Sequence, residues 1–130
     1  MRLMKDMTEN KVFIADTYAL IELLRGNQSY KPYLRAMLLT TKFNLVELYY
    51  YFIREHNKET ADNHLSWCSK LLVPISLSCI RKAMEFKLRH REEKLSYTDC
   101  VGYALAFEFG IKFLTGDEKF GDKENVEFVR

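Results

Sequence analysis

The sequence predicts an α/β layer fold built on a small, mainly parallel sheet. Short β-rich runs at Val12 to Ala15, Leu72 to Ser76, Lys112 to Thr115 and Val126 to Val129 alternate with segments whose apolar residues recur at helical spacing. Such alternation marks strand–helix–strand units, because parallel neighbours need a crossover and the crossover is usually a helix. Neither an internal repeat nor a linker interrupts the pattern. The 130 residues suit a single domain, 1–130, with one core.

Each element has its own signal. Val12 to Ala15 is bounded by polar residues on one side and Asp16 on the other, which reads as a buried strand. In the helix that follows, Leu20, Ile21, Leu23 and Leu24 repeat at helical spacing, and Gly26 with Asn27 supplies a stop. Lys31 to Leu39 reads as a second short helix started near Pro32, leaving room for only a brief strand after it. Thr40 or Thr41 then precedes a long apolar and aromatic helix from Phe43 to His56. Glu59 to Leu71 is a more polar helix, and Leu72 to Ser76 a strand whose Pro74 suits an edge or an end. From Leu77 to Lys94, Ile80, Met84 and Leu88 form one stripe, while Arg81, Glu85, Arg89 and Glu92 or Glu93 form another of alternating sign. That second face compensates itself, so it reads as a solvated surface laced by ion pairs rather than a nucleic-acid site. A helix from Tyr97 to Phe109 is stopped by Gly110, and Lys112 to Thr115 and Val126 to Val129 complete the sheet.

Composition sets outer limits on function. Hydrophobic residues at 48% and charged residues at 29% describe a chain that folds. A net charge of +2 and a pI near 8.4 fall short of the clustered basic stripe of a dedicated nucleic-acid binder. Apolar runs stop well before the roughly 18 residues of a membrane span, and the charged N-terminus lacks a signal-type apolar region. A soluble, cytoplasmic protein without a membrane partner is expected. Cys68, Cys79 and Cys100 are odd in number and include no CxxC pair, which argues for reduced core thiols. His64 and Cys68 share a helix face, but two donors without a second pair suit packing better than a metal site.

Four acids stand out by position. Ligands of open α/β sheets gather at the carboxyl ends of strands, and Asp16 directly follows the first strand while Asp117 lies just past the third long run. Glu47 and Asp99 interrupt otherwise apolar or weakly polar helix beginnings. Taken alone, Asp16 reads as a helix cap, Asp99 as the partner of Ser96 in a capping box, and Asp117 as a turn acid. Glu47 resists such a reading, being the only charged residue between Phe43 and Ile53 and sharing a narrow polar stripe with Asn44 and Tyr51. A buried carboxylate there needs a cation from elsewhere. If the four acids converge, their oxygens suit a hard divalent ion such as Mg²⁺ or Mn²⁺.

The stretches "VFIAD", "NLVEL", "LSYTDCVGYALAFEFGIKFLTGDEKF" and "VEFV", in that order, resemble the PIN-domain ribonucleases, notably the VapC-type toxins of toxin–antitoxin pairs. The most specific part runs from Asp99 through Gly110 to Thr115, Asp117 and Phe120, because those spacings are constrained together. The resemblance implies a three-layer α/β/α sandwich and Mg²⁺- or Mn²⁺-dependent cleavage of RNA by acids matching Asp16, Glu47, Asp99 and Asp117. Thr17 and Thr115 are implied as hydroxyl partners, and a cognate antitoxin and a homodimer as assemblies. Tyr18 departs from the family, which often has a small or hydroxyl residue there, and narrows the expected site.

Two other classes compete. Haloacid dehalogenase-like phosphatases would place an Asp where Tyr18 stands, and response-regulator receivers would need an adjacent acidic pair. A catalytically inactive PIN-like module that binds nucleic acid or protein would keep the scaffold without the chemistry. Tyr49, Tyr50, Tyr51 and Phe52 are consecutive, so at about 100° per residue they surround the helix and some of them are expected to meet a partner.

Overall fold

The computed structural model describes residues 11–130; the charged N-terminus discussed above lies outside them. Four strands, β1 (Val12–Ala15), β2 (Met37–Leu39), β3 (Lys112–Thr115) and β4 (Val126–Phe128), form one sheet in the order β2-β1-β3-β4. All three pairings are parallel, with Ile14 opposite Leu39 on one side and Phe113 on the other. Every carboxyl end therefore lies on one edge of the sheet, where Asp16 and Asp117 follow β1 and β3.

Among the described residues five α-helices cover the two faces: α1 (Thr17–Leu24), α2 (Lys42–Glu55), α3 (Lys58–Ser69), α4 (Leu77–Arg89) and α5 (Tyr97–Phe109). The strand period of two decides which core each side chain joins. Phe13, Ala15, Leu38 and Leu114 pack with Leu20, Leu48, Phe52 and Cys68 from α1, α2 and α3. Ile14 and Phe113 point the other way and pack with Cys79, Ala83, Cys100 and Leu105 from α4 and α5. The result is a three-layer α/β/α sandwich. Each fully buried Leu or Phe contributes roughly 1.5–3 kcal/mol of transfer free energy, so both layers hold the sheet firmly.

Helix ends follow their caps. Thr41 and Asn44 form a reciprocal capping box at α2, Thr41 Oγ1 accepting the Asn44 N–H and Asn44 Oδ1 accepting the Thr41 N–H at 3.2 Å. At α5 the Ser96 Oγ accepts the Asp99 N–H at 3.0 Å, and Gly110 ends the helix with φ 68°, a left-handed conformation that a side chain would strain.

Three sequence expectations change. Lys31 to Leu39 is not one helix: a 3-10 helix spans Gln28–Arg35, and Met37–Leu39 is the edge strand β2. Leu72 to Ser76 is not a strand but a single bridge from Leu72 to Thr40. The chain bonds there only through Thr40 N–H to Leu71 O and Val73 N–H to Thr40 O, and Pro74 has no N–H with which to extend the ladder. The helix from Leu77 ends at Arg89 rather than Lys94, because a short 3-10 turn at Arg91–Glu93 runs into Lys94 at φ 56°.

Candidate functional site

Asp16 leaves β1 as the N-cap of α1. Its Oδ1 accepts the Ala19 N–H at 2.8 Å and its Oδ2 accepts the Thr115 hydroxyl, so it caps a helix and also bridges to β3. The residue is only 2% exposed. Burial pushes its carboxyl up to about 7, the negative charges of Asp99 and Asp117 add to the rise, and the two hydrogen bonds oppose it.

Asp99, in the first turn of α5, is partly buried. Its carboxyl is pushed up to about 6, mainly by burial and further by Asp117 and Glu47, while the Ser96 hydroxyl and Lys119 favour the charged form. Asp117 caps the short 3-10 turn Glu118–Phe120, its carboxylate accepting the Lys119 N–H at 3.0 Å. Its own N–H donates to Thr115 Oγ1 at 3.0 Å. Thr115, fully buried at the end of β3, thus takes a proton donor from Asp117 and gives its own proton to Asp16. Phe120 closes the turn on the core, with its ring 5.1 Å from Phe113 and 5.3 Å from Tyr103.

Glu47 is exposed, contrary to the buried carboxylate expected from its apolar surroundings. The reason is the face of α2 that the sheet takes: Asn44, Leu45, Leu48 and Phe52 turn inward, and Glu47 with Val46 and Tyr50 turns outward. Glu47 still belongs to the carboxyl edge. Thr17 Oγ1 donates to Glu47 Oε1 at 2.6 Å, and Asn44 Nδ2 donates to Thr17 Oγ1 at 3.1 Å, which ties α1 to α2 beside Asp16. Asn44 is a contributor that its sequence context concealed; the signal was the T-x-x-N spacing of a capping box at Thr41.

The four acids are electrostatic neighbours, Asp16 feeling Asp99 and Asp117, and Asp99 feeling Asp117 and Glu47. Among the described residues no group of three His, Cys, Asp or Glu side chains is arranged to hold an ion as it stands. Anions without a counter-charge keep apart, and a cation is what draws such a set together. Its donors are oxygen only, carboxylates with the hydroxyls of Thr17 and Thr115, which fits a hard divalent cation and not a thiol-loving one.

Tyr18 lies against the same edge. A Cβ built on Gly116 would stand 2.2 Å from Tyr18 Cε1 and 2.4 Å from the Val129 carbonyl oxygen, so a bare glycine is what lets the Tyr18 ring lie there. The thiols stay out of the site: Cys68, Cys79 and Cys100 are fully buried, and burial pushes Cys68 up to about 12 and Cys100 up to about 11. His64 packs its ring 4.5 Å from Phe52, as a structural residue does. A cavity between α4 and α5, lined by Phe86, Tyr103 and Phe107 among others, includes none of the four acids.

Among known proteins, the PIN domain family matches residues 13–125. No curated protein matches by sequence. In solved structures the chain is similar to VapC20 of Mycobacterium tuberculosis, a sarcin–ricin loop cleaving toxin, at 18% identity and a TM-score of 0.76, over 92% of this chain and 100% of that one. It is similar to a toxin–antitoxin complex from Klebsiella pneumoniae at 20% identity and a TM-score of 0.68, over 88% and 95% of the two chains. VapBC2 of Rickettsia felis, bound to a DNA fragment from its promoter, matches at 18% identity and a TM-score of 0.71, over 92% and 99%. With a family match across most of the chain and a sheet that superposes on these structures, the chain belongs to the PIN domain family and has the fold of the VapC toxins.

Proposed function

We propose that the chain is a divalent-metal-dependent ribonuclease that hydrolyses RNA phosphodiester bonds, and the toxin of a VapBC-type toxin–antitoxin pair. The observation that carries this reading is the gathering of Asp16, Glu47, Asp99 and Asp117 around one sheet edge, with two of their carboxyls driven upward by burial and mutual repulsion. An arrangement that is unfavourable without a cation is suited to holding one. Membership of the PIN family and the toxins that share the fold add to it.

Asp16 and Asp99 are assigned as the principal ligands of Mg²⁺ or Mn²⁺, Glu47 as a ligand or as the group that orients the attacking water, and Asp117 as a more distant ligand. When bound, such an ion lowers the pKa of a water and offsets charge that develops on the phosphate and the leaving oxygen. Thr115 holds Asp16 and the Asp117 backbone in fixed relation, and Thr17, itself held by Asn44, fixes one oxygen of Glu47. The Tyr18 ring over Gly116 narrows the approach and restricts how substrate lies against Asp16.

The outward face of α2 supports the protein partners, a second copy and a cognate antitoxin. Phe43, Val46, Tyr50 and Ile53 form an exposed stripe at helical spacing, with Tyr50 59% exposed, whereas the Tyr49 hydroxyl is already engaged by Asp62 at 2.8 Å. No described helix is long and apolar enough to cross a membrane.

The test is cleavage of a mixed RNA pool by the purified protein with and without Mg²⁺ or Mn²⁺, alongside Asp16→Asn. Metal-dependent cleavage that the variant lacks supports the reading; equal cleavage by the variant refutes it. If titration calorimetry detects no Mn²⁺ uptake at millimolar levels, the inactive binding module replaces it.

A further inference from the structure

The cavity between α4 and α5 has a volume of about 480 Å³, within the range of small-ligand sites. Phe86 and His90 stand in its wall from α4, Tyr103, Ala104 and Phe107 in its wall from α5, and Lys123 with Glu124, just before β4, closes a third side. Its floor is aromatic. The Tyr103 ring lies 5.0 Å from Phe86 and 5.1 Å from Phe107, the His90 ring lies 4.4 Å from Phe86, and Phe107 is 47% exposed. Fixed contacts hold the walls in place: the Tyr103 hydroxyl donates to the Glu124 carbonyl at 2.6 Å, and Glu93 pairs with Lys123 at 2.6 Å and with His90 at 2.7 Å. The cleft is therefore formed before anything enters it, which lowers the cost of binding.

The remaining charges that line it are uncommitted. The ion pairs that the alternating signs of α4 predict are absent along this face: among the described residues Lys82, Glu85 and Arg89 form none, although they stand three and four positions apart, and neither does Glu124. All four side chains are exposed. The lining thus matches a ligand with three features: a planar ring for Phe86 and Phe107, an anionic group for Lys82 and Arg89, and N–H donors for the carboxylates. A plain aromatic acid supplies the first two and meets Glu85 as a like charge. A purine nucleotide supplies all three, with its donors on the base and its charge on the phosphate.

We infer that this cleft is a binding site for a free purine nucleotide, its base stacked on Phe86 and Phe107 with N–H groups towards Glu85, and its phosphate held by Lys82 and Arg89. Guanine, which carries N–H donors side by side on one edge, suits a carboxylate better than adenine does. The cleft contains none of the four acids, so the inference stands or falls apart from the ribonuclease reading.

Titration calorimetry of the purified protein in EDTA tests this, with GMP, AMP, phenyl phosphate and inorganic phosphate as probes. GMP should bind most tightly and inorganic phosphate least. Phe107→Ala should weaken GMP binding about tenfold through lost stacking. Lys82→Gln and Arg89→Gln should each weaken it about threefold. Ala104→Phe, which fills the cleft, should abolish it. Glu85→Ala separates a nucleotide site from a general site for aromatic anions, since it should weaken GMP about tenfold and strengthen phenyl phosphate. Lys82, Glu85, Arg89 and Phe107 are exposed, so these variants should keep the parent's melting temperature. No GMP binding at millimolar levels, equal affinity of the parent and Phe107→Ala for GMP, or inorganic phosphate bound as tightly as GMP overturns the inference. A short 5′-phosphorylated RNA should bind through these residues more weakly than GMP; tighter binding would make the cleft a seat for an RNA end and overturn the free nucleotide.

Discussion

Asp16→Asn should stabilise the metal-free protein at alkaline pH while destroying its response to divalent ions. The Asp16 carboxyl is held near pH 7 in the folded chain, against 3.8 as its ordinary value. An acid with a raised folded pKa contributes stability that is fully present below about pH 4, fades as pH rises, and is lost above about pH 7. At 1.36 kcal/mol per unit, the ionised carboxylate therefore costs the fold about 4 kcal/mol at pH 8. Asparagine removes that charge and caps α1 nearly as well, because its side-chain oxygen still accepts the Ala19 N–H. It gives up the charge-assisted bond from Thr115, worth roughly 1.5–2 kcal/mol.

The net gain is then about 2 kcal/mol, or roughly 8 °C in melting temperature for a chain of this size. Thermal melts in EDTA at pH 8 should show that gain, and at pH 4, where Asp16 holds its proton and only the lost Thr115 bond remains, the order should reverse, the variant being less stable by about 2 kcal/mol. Adding 10 mM Mg²⁺ should stabilise the parent at pH 8, by as much as about 2.7 kcal/mol if the ion exceeds its dissociation constant a hundredfold, and so raise its melting temperature while leaving the variant unmoved. A variant less stable than the parent at pH 8, by the 0.5–2 kcal/mol typical of a lost cap, would make Asp16 a structural residue and refute the reasoning.

Further substitutions separate the roles of the neighbouring groups. Thr115→Val removes a hydroxyl that holds the Asp16 carboxyl down, so the acid limb of a pH–rate profile should move towards alkaline pH; an unmoved limb counts against Asp16 as the titrating group. Glu47→Gln changes an exposed side chain whose bond to Thr17 survives, so stability by urea unfolding should shift by less than about 0.5 kcal/mol while cleavage falls at least tenfold. Gly116→Ala forces a methyl into Tyr18 and the Val129 carbonyl, and should lower stability by about 1–3 kcal/mol in the same assay; a neutral result would mean that the two segments yield easily.

Much of the acid arrangement was legible because it depends on where strands end. Asp16 after β1 and Asp117 after β3 follow from apolar runs broken by turn residues, and a parallel sheet places both on one edge. Glu47 was misjudged for a matching reason. Helical period shows that Asn44 and Glu47 lie near one another, but which flank the sheet covers is a tertiary choice, and it takes Asn44. The region from Lys31 to Leu39 failed because short apolar runs suit either helix or strand, and only the vacant edge of β1 decides that Met37–Leu39 pairs. At Leu72 the apolar pattern was real, yet a proline two residues on limits pairing to one bridge.

The three buried cysteines give each side of the sheet its own clock. Cys68 lies in the layer of α1, α2 and α3, while Cys79 and Cys100 lie in the layer of α4 and α5. Their raised pKa values keep them as thiols in the closed fold, so an alkylating reagent traps each one only when its surroundings open. Trapping rates at the three positions therefore measure the opening of two helical layers separately, without any engineered label. Equal rates describe a sandwich that comes apart as one body, and unequal rates identify the layer that lets go of the sheet first.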